Sequence, residues 1–123
     1  MASQQRRAGI IYLKIDGQQY DAKGSFSYNL GQPKREAVMG SDGVHGYKEV
    51  PQVPFIEGEL TDSSALSLKS LVTMDGVTVT LELANGKVIA GSQMWYAADG
   101  KAQTEEANVE VRFESTIPLT EVL

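Results

Sequence analysis

The side chains whose types and spacing could do chemistry in this chain are few: a single histidine, His45, and three carboxylate pairs, Glu57 with Glu59, Glu105 with Glu106, and Glu110 with Glu114. His45 lies in "SDGVHGYK", flanked by Gly43 and Gly46. An imidazole acts as a general base or metal ligand only when a second group orients it or completes the coordination shell. The neighbourhood offers a glycine-rich loop in place of such a partner. The carboxylate pairs invite a glycosidase or divalent-metal reading, but acid and base roles need carboxyl groups held across a cleft in unlike environments. Glu110 and Glu114 instead alternate with Arg112 along one strand face, the pattern of solvated sheet charge. No G-x-G-x-x-G and no G-K-[ST] occurs, so there is no phosphate cradle. With no cysteine there is neither a disulfide framework nor a thiolate metal site. Nothing supplies an activated nucleophile, and the expectation is a protein that is not an enzyme and has no cofactor and no metal.

The elements that must position these groups are mostly strands. In "GVTVTLELANG", Val77, Val79, Leu81 and Leu83 share one face while Thr78, Thr80 and Glu82 share the other. Asn85-Gly86 then predicts a two-residue type I′ hairpin into "KVIAGSQMWYA", with Gly91 marking a bulge or close backbone approach. In "ANVEVRFES", Val109, Val111 and Phe113 face away from Glu110, Arg112 and Glu114. Earlier, "GIIYLKIDG" sets Ile11, Leu13 and Ile15 against Tyr12 and Lys14, Asp16-Gly17 signals a turn, and "GSFSYNLG" sets Phe26, Tyr28 and Leu30 against Ser25, Ser27 and Asn29. "FIEGEL" is a further strand. Ala65, Leu68, Leu71 and Val72 fall at helical spacing, predicting one short amphipathic helix capped at Thr61 or Asp62, with Lys69 near its end. Strands, one helix, then strands, without βαβ alternation, predict a mainly β fold: an antiparallel β-sandwich or barrel with one short α-helix packed on it. Residues from about 34 to 54, in "REAVMGSDGVHGYKEVPQVPFIEGEL", are expected to form a long extended loop.

At 123 residues and 41% hydrophobic, the chain can fill one core, so residues 1–123 are expected to form a single domain, with about 1–8 as a flexible N-terminal arm carrying Arg6 and Arg7. No apolar run reaches signal-sequence or membrane-spanning length, and the expectation is a soluble protein made inside the cell. The net charge of −5 argues against gripping nucleic acid through its phosphates. Charge is also uneven: residues 1–56 hold seven basic and five acidic side chains, residues 57–123 four and eleven, an asymmetry that permits attraction between copies. Tyr12, Trp95 and Tyr96 suggest a carbohydrate-binding β-sandwich as a competing reading, although such rings sit more often at core edges or subunit interfaces. Open sheet edges must be covered or paired, which makes self-association the natural outcome.

The succession "IYLKIDGQQYDAKGSFSYNLGQPKREAVMGSDGVHGYKEVPQVPFIEGELT", followed by the short helix and "GVTVTLELANGKVIAGSQMWY", resembles the tail tube proteins of contractile-tailed bacteriophages, in particular the phage Mu-like group. The resemblance implies a structural subunit of hexameric rings that stack into a hollow tube, conducting genomic DNA into the host cell without specific DNA binding. It implies as partners the tail sheath, tape measure, baseplate and tail terminator proteins, and as location a virion tail assembled in the host bacterial cytoplasm. A tube protein of a phage-derived contractile injection particle, such as an R-type bacteriocin or a type VI secretion-like system, is the alternative. Carried onto this chain, the resemblance implies an inter-ring contact loop with Arg35, Glu36, Tyr47, Lys48 and Glu49, and it makes Glu82, Glu110, Arg112 and Glu114 candidates to face the lumen.

Overall fold

A computed structural model gives the fold and describes residues 11–64 and 66–123; the N-terminal arm, with Arg6 and Arg7, and Ala65 of the predicted helix lie outside them. Among the described residues, ten strands and one helix follow in the order β1 (Tyr12–Ile15), β2 (Gln18–Asn29), β3 (Lys34–Gly40), β4 (Gly43–Val50), β5 (Phe55–Thr61), α1 (Leu68–Val72), β6 (Val77–Glu82), β7 (Val88–Tyr96), β8 (Ala102–Gln103), β9 (Asn108–Glu114) and β10 (Thr120–Val122). Eight of the strands form one sheet in the order β10-β7-β6-β1-β2-β5-β9-β8, and a further pairing of β7 with β9 closes its middle into a barrel. These pairings are antiparallel; short turns join β1 to β2 and β6 to β7, whereas β1–β6, β2–β5 and β5–β9 bring together strands distant in sequence. No helix among the described residues is long and apolar enough to cross a membrane.

Two bent strands turn the corners. β2 pairs with β1 through Asp21 and with β5 from Ala22 onward, and its register slips between Lys23 and Ser27. β7 pairs with β6 as far as Met94 and with β9 at Trp95 and Tyr96. Its bulge places Gln93 at φ 54, a left-handed conformation that bends the strand from one wall into the next. Inside, the period-two residues meet as predicted: Leu13, Ile15, Val79, Leu81, Val109, Val111 and Phe113 are buried, joined by Ile56, Leu60, Ile89 and Met94. Gly58 and Gly91 face this core. A Cβ on Gly58 would lie 2.6 Å from the Phe26 ring, and one on Gly91 2.5 Å from Met94 Sδ, so each glycine is where a neighbouring side chain takes the space.

Local expectations fared differently. Asp16 and Gly17, at φ 50 and 85, form the two-residue type I′ turn, and the Asp16 carboxylate accepts a bond of 2.8 Å from the Thr78 amide, tying the turn to β6. Asn85-Gly86 does not form that turn. Gly86 alone takes positive φ, its amide donates to Leu83 O at 3.0 Å, and Leu83 pairs with Lys87 around a three-residue loop of type I plus bulge form. The helix is shorter than the spacing implied. Its cap is Ser67, whose hydroxyl accepts from Ser70 N, because Thr61 is held in the β5–β9 ladder and Asp62 N bonds to Ala107 O. Leu71 is buried and seats the helix on the core.

Within the extended loop expected over about residues 34–54, residues 34–50 form a β-hairpin, β3 with β4, in a two-stranded sheet of its own whose register shifts between Ala37 and Met39. The sequence concealed it because neither face packs on the core, so the apolar–polar alternation that marks a half-buried strand is weak.

Candidate functional site

The hairpin stands apart from the eight-stranded sheet, and most of its residues are exposed. Cross-strand partners Arg35 with Glu49, Ala37 with Tyr47, and Met39 with Val44 share one face; Lys34 with Val50 and Glu36 with Lys48 share the other. The first face is an apolar strip left in solvent: Met39 is 68% exposed, Val44 65% and Tyr47 57%. Arg35 lies over the Tyr47 ring at 4.9 Å, a cation–π contact that fixes the ring at the strip's base. The second face is a charge ladder in which the Glu36 carboxylate lies 3.6 Å from Lys34 and 4.0 Å from Lys48. The five predicted contact residues therefore divide, with Arg35, Tyr47 and Glu49 on the apolar face and Glu36 and Lys48 on the charged one.

His45 and the hairpin root have mechanical roles. At the tip the imidazole covers Gly40, where any Cβ would collide with it, and its Nε2 lies 2.5 Å from Asp42 Oδ1. This closes the turn; it is not a catalytic arrangement. At the root, Gly31 at φ 87 packs against buried Pro54 so closely that a Cβ would meet the proline ring. Gln52 donates to Gln32 O at 2.9 Å and accepts from Asn29 at 3.3 Å. The hairpin thus leaves the barrel at a braced angle.

The four lumen candidates are separated. Glu82, on β6, pairs with Lys14 on β1 at 3.2 Å. Glu110, Arg112 and Glu114 lie on the outer face of β9, beyond the bend of β7. Glu82 is opposite Val88 at the start of β7 whereas Glu114 is opposite Trp95, seven residues later and past the bend at Gln93. On the β9 wall, Arg112 donates to Glu57 and Glu114 at 2.8 Å each and lies 4.1 Å over the Phe55 ring. Burial pulls its pKa down, but the bonds to Glu114 and Glu57 outweigh this and raise it. Its charge is consumed by the wall. Beside it Glu59 and Glu110 are direct cross-strand neighbours with no ion pair within 4 Å among the described residues. Lys23, next in the row, donates to the Glu106 carbonyl, while buried Asn108 donates to Glu59. The wall is net acidic.

The carbohydrate platform does not form. Tyr12 lies on the β1 wall, whereas Tyr96 is half-buried beyond the β7 bend, edge-on to Phe113 at 5.7 Å and donating to Glu110 O at 2.7 Å. Desolvation raises the Tyr96 phenol pKa, with a hydrogen bond to the Gly100 backbone opposing and Glu110 and Asp99 adding to the rise. Among the described residues no three His, Cys, Asp or Glu side chains converge on a possible metal position. Sequence reasoning missed Met39 and Val44, whose apolar character at matching hairpin positions was the available signal, and missed the Glu57 and Phe55 contacts of Arg112, which only strand pairing creates.

A family model described as "Phage tail tube protein" matches residues 4–117. The chain belongs to that family. It is 24% identical over 101 residues to the tail tube protein of Escherichia phage Mu, covering 82% of this chain and 84% of that one. Solved structures share its fold. It matches the sheath/tube terminator of an extracellular contractile injection system, PVC, with TM-score 0.63 at 10% identity, covering 93% of this chain and 94% of that one. It also matches the tube terminating cap of the anti-feeding prophage with TM-score 0.64 at 12% identity, covering 99% and 94%. Family membership makes this a structural protein of the phage tail tube and not an enzyme. The closed β-barrel with one short helix is the fold these structures share with it.

Proposed function

We propose that this chain is the repeating subunit of a contractile phage tail tube, six copies closing into a ring and rings stacking into a hollow conduit for the genome. The observation that carries this is the β3–β4 hairpin with its uncovered strip. A lone two-stranded hairpin is marginal in water, and this one leaves Met39, Val44 and Tyr47 exposed. Withdrawing each large apolar side chain fully from water is worth about 1.5–3 kcal/mol, so docking on a copy in the next ring stabilises both hairpin and stack. Arg35, Glu36, Tyr47, Lys48 and Glu49 are its contact residues.

Within a ring, the outward edges of β10 and β8 pair with neighbouring copies, which removes the open edges of the eight-stranded sheet. The β2–β5–β9 wall lines the lumen: Glu57, Glu59, Glu110 and Glu114 present carboxylates, and Arg112 is neutralised in place. A polyanion then meets repulsion instead of Lys and Arg contacts that would hold it. The chain acts as one tube domain. Sheath, tape measure, baseplate and terminator proteins are its partners, the first and last supported by the sheath-tube and terminator names of its structural neighbours, and assembly takes place in the host cytoplasm. The same neighbours support a second reading, the tube of a phage-derived injection particle, and nucleic acid inside purified particles separates the two.

Negative-stain microscopy tests the proposal. The purified parent forms rings or tubes, whereas a variant lacking residues 38–48 loses the hairpin's share of the far-ultraviolet strand signal, keeps the cooperative melting of the barrel, and forms no tubes. A truncated protein that polymerises like the parent, or a parent that stays monomeric at high concentration, refutes it.

A further inference from the structure

We propose that the Met39–Val44 end of the hairpin seats in a groove beside α1 of a second copy. This rests on the inter-ring arm reading above and names the surface that receives the arm. The groove, about 410 Å³, lies between α1 and the turn after β7, and is lined by Leu68, Lys69, Val72, Ala98, Asp99 and Gly100.

The helix divides its apolar residues between two surfaces. Leu71 is buried in the core; Leu68 packs against that core yet stays half-exposed, and with Val72, four residues on, it lines the groove. Gly100, at φ 74, brings the turn against the helix, its absent Cβ falling 3.0 Å from Val72 Cγ1. A side chain there would fill the groove.

The hairpin matches this surface in shape and charge. Met39 and Val44 are cross-strand partners, so they enter together, and an unbranched methionine adapts to an irregular groove. At the base of the strip Arg35 and Glu49 stand side by side with opposite signs. The groove carries an opposite pair, Lys69 and Asp99, on the helix and on the turn. Docking that sets Arg35 toward Asp99 and Glu49 toward Lys69 satisfies both pairs and fixes orientation. The chain's own hairpin does not fill the groove, since Met39 and Val44 remain about two-thirds exposed. The concavity of similar volume on the β2–β5–β9 wall is lined by Lys23, Glu57, Glu59 and Glu110, and the β1–β6 wall carries the Lys14–Glu82 pair, so both present charge to an apolar side chain.

The test exploits the absence of native cysteine. Full-length Met39→Cys and Ala98→Cys copies are mixed under assembly conditions, oxidised, and resolved on non-reducing gels. A disulfide requires Cα atoms within about 7 Å. The covalent dimer is expected at roughly ten times the yield obtained with Thr78→Cys, on the β1–β6 wall, as partner, as a docked contact raises effective concentration. In a second readout Asp99→Arg reduces tube yield and Arg35→Glu added to it restores the yield. Equal capture by Thr78→Cys, or no rescue, overturns the groove while tubes that still require residues 38–48 leave the arm reading intact. Tubes that form without those residues overturn both.

Discussion

Replacing Arg112 by alanine separates a structural clamp from a lumen contact. The guanidinium holds Glu57 and Glu114 at 2.8 Å each, and its side chain is 29% exposed. Charge-assisted bonds run to about 1.5–3 kcal/mol when buried, and partial exposure with salt screening reduces each here to about 1 kcal/mol. The stacking on Phe55 adds about 0.5–1 kcal/mol. Removal also leaves two carboxylates on adjacent strands without their shared cation, so the total cost is about 2–3 kcal/mol. For a chain of this size that lowers Tm by roughly 10 °C. Thermal unfolding followed by circular dichroism at fixed protein concentration measures it, since self-association shifts Tm by mass action. Glu57→Gln or Glu114→Gln alone should cost less, and the two together should recover part of the loss in the Arg112→Ala background by removing the repulsion. An Arg112→Ala melting curve within about 2 °C of the parent, where about 0.5 kcal/mol would fall, refutes the clamp. It would leave Arg112 as a screened surface charge available to DNA.

Two further outcomes test the walls. Glu110→Lys, at an exposed position outside the clamp, should leave tube assembly intact and slow DNA release from particles; unchanged release kinetics count against the β9 wall as lumen. Gly58→Ala forces a Cβ to within 2.6 Å of the Phe26 ring, so it should destabilise the barrel by about 1–3 kcal/mol in denaturant unfolding, and a neutral result would show that Phe26 moves aside freely.

Much of the barrel is legible in the sequence, and what is legible shares a cause. Val77 to Leu81 and Val109 to Phe113 alternate because one side of each strand meets the core, and that contact is written into the residues themselves. Asp16-Gly17 makes its turn because the two residues carry the needed conformational freedom locally. Asn85-Gly86 carries the same freedom, yet the Leu83–Lys87 pairing around it selects a three-residue loop. Absence of catalytic machinery, acidic charge and resemblance to tail tube proteins were likewise legible in the sequence.

Tertiary structure decided the rest. The hairpin at 34–50 has no core face, so no periodicity announced it, and its strip of Met39, Val44 and Tyr47 became visible only when cross-strand register placed them together. Arg112 read as one more surface charge until pairing of β5 with β9 brought Glu57, 55 residues away, within hydrogen-bond reach. Closure of the barrel depends on bends in β2 and β7 that no residue type specifies alone. Local sequence determines which way a strand faces, because that is settled by burial residue by residue; which strands meet, and what is left exposed when they do, is settled by long-range pairing.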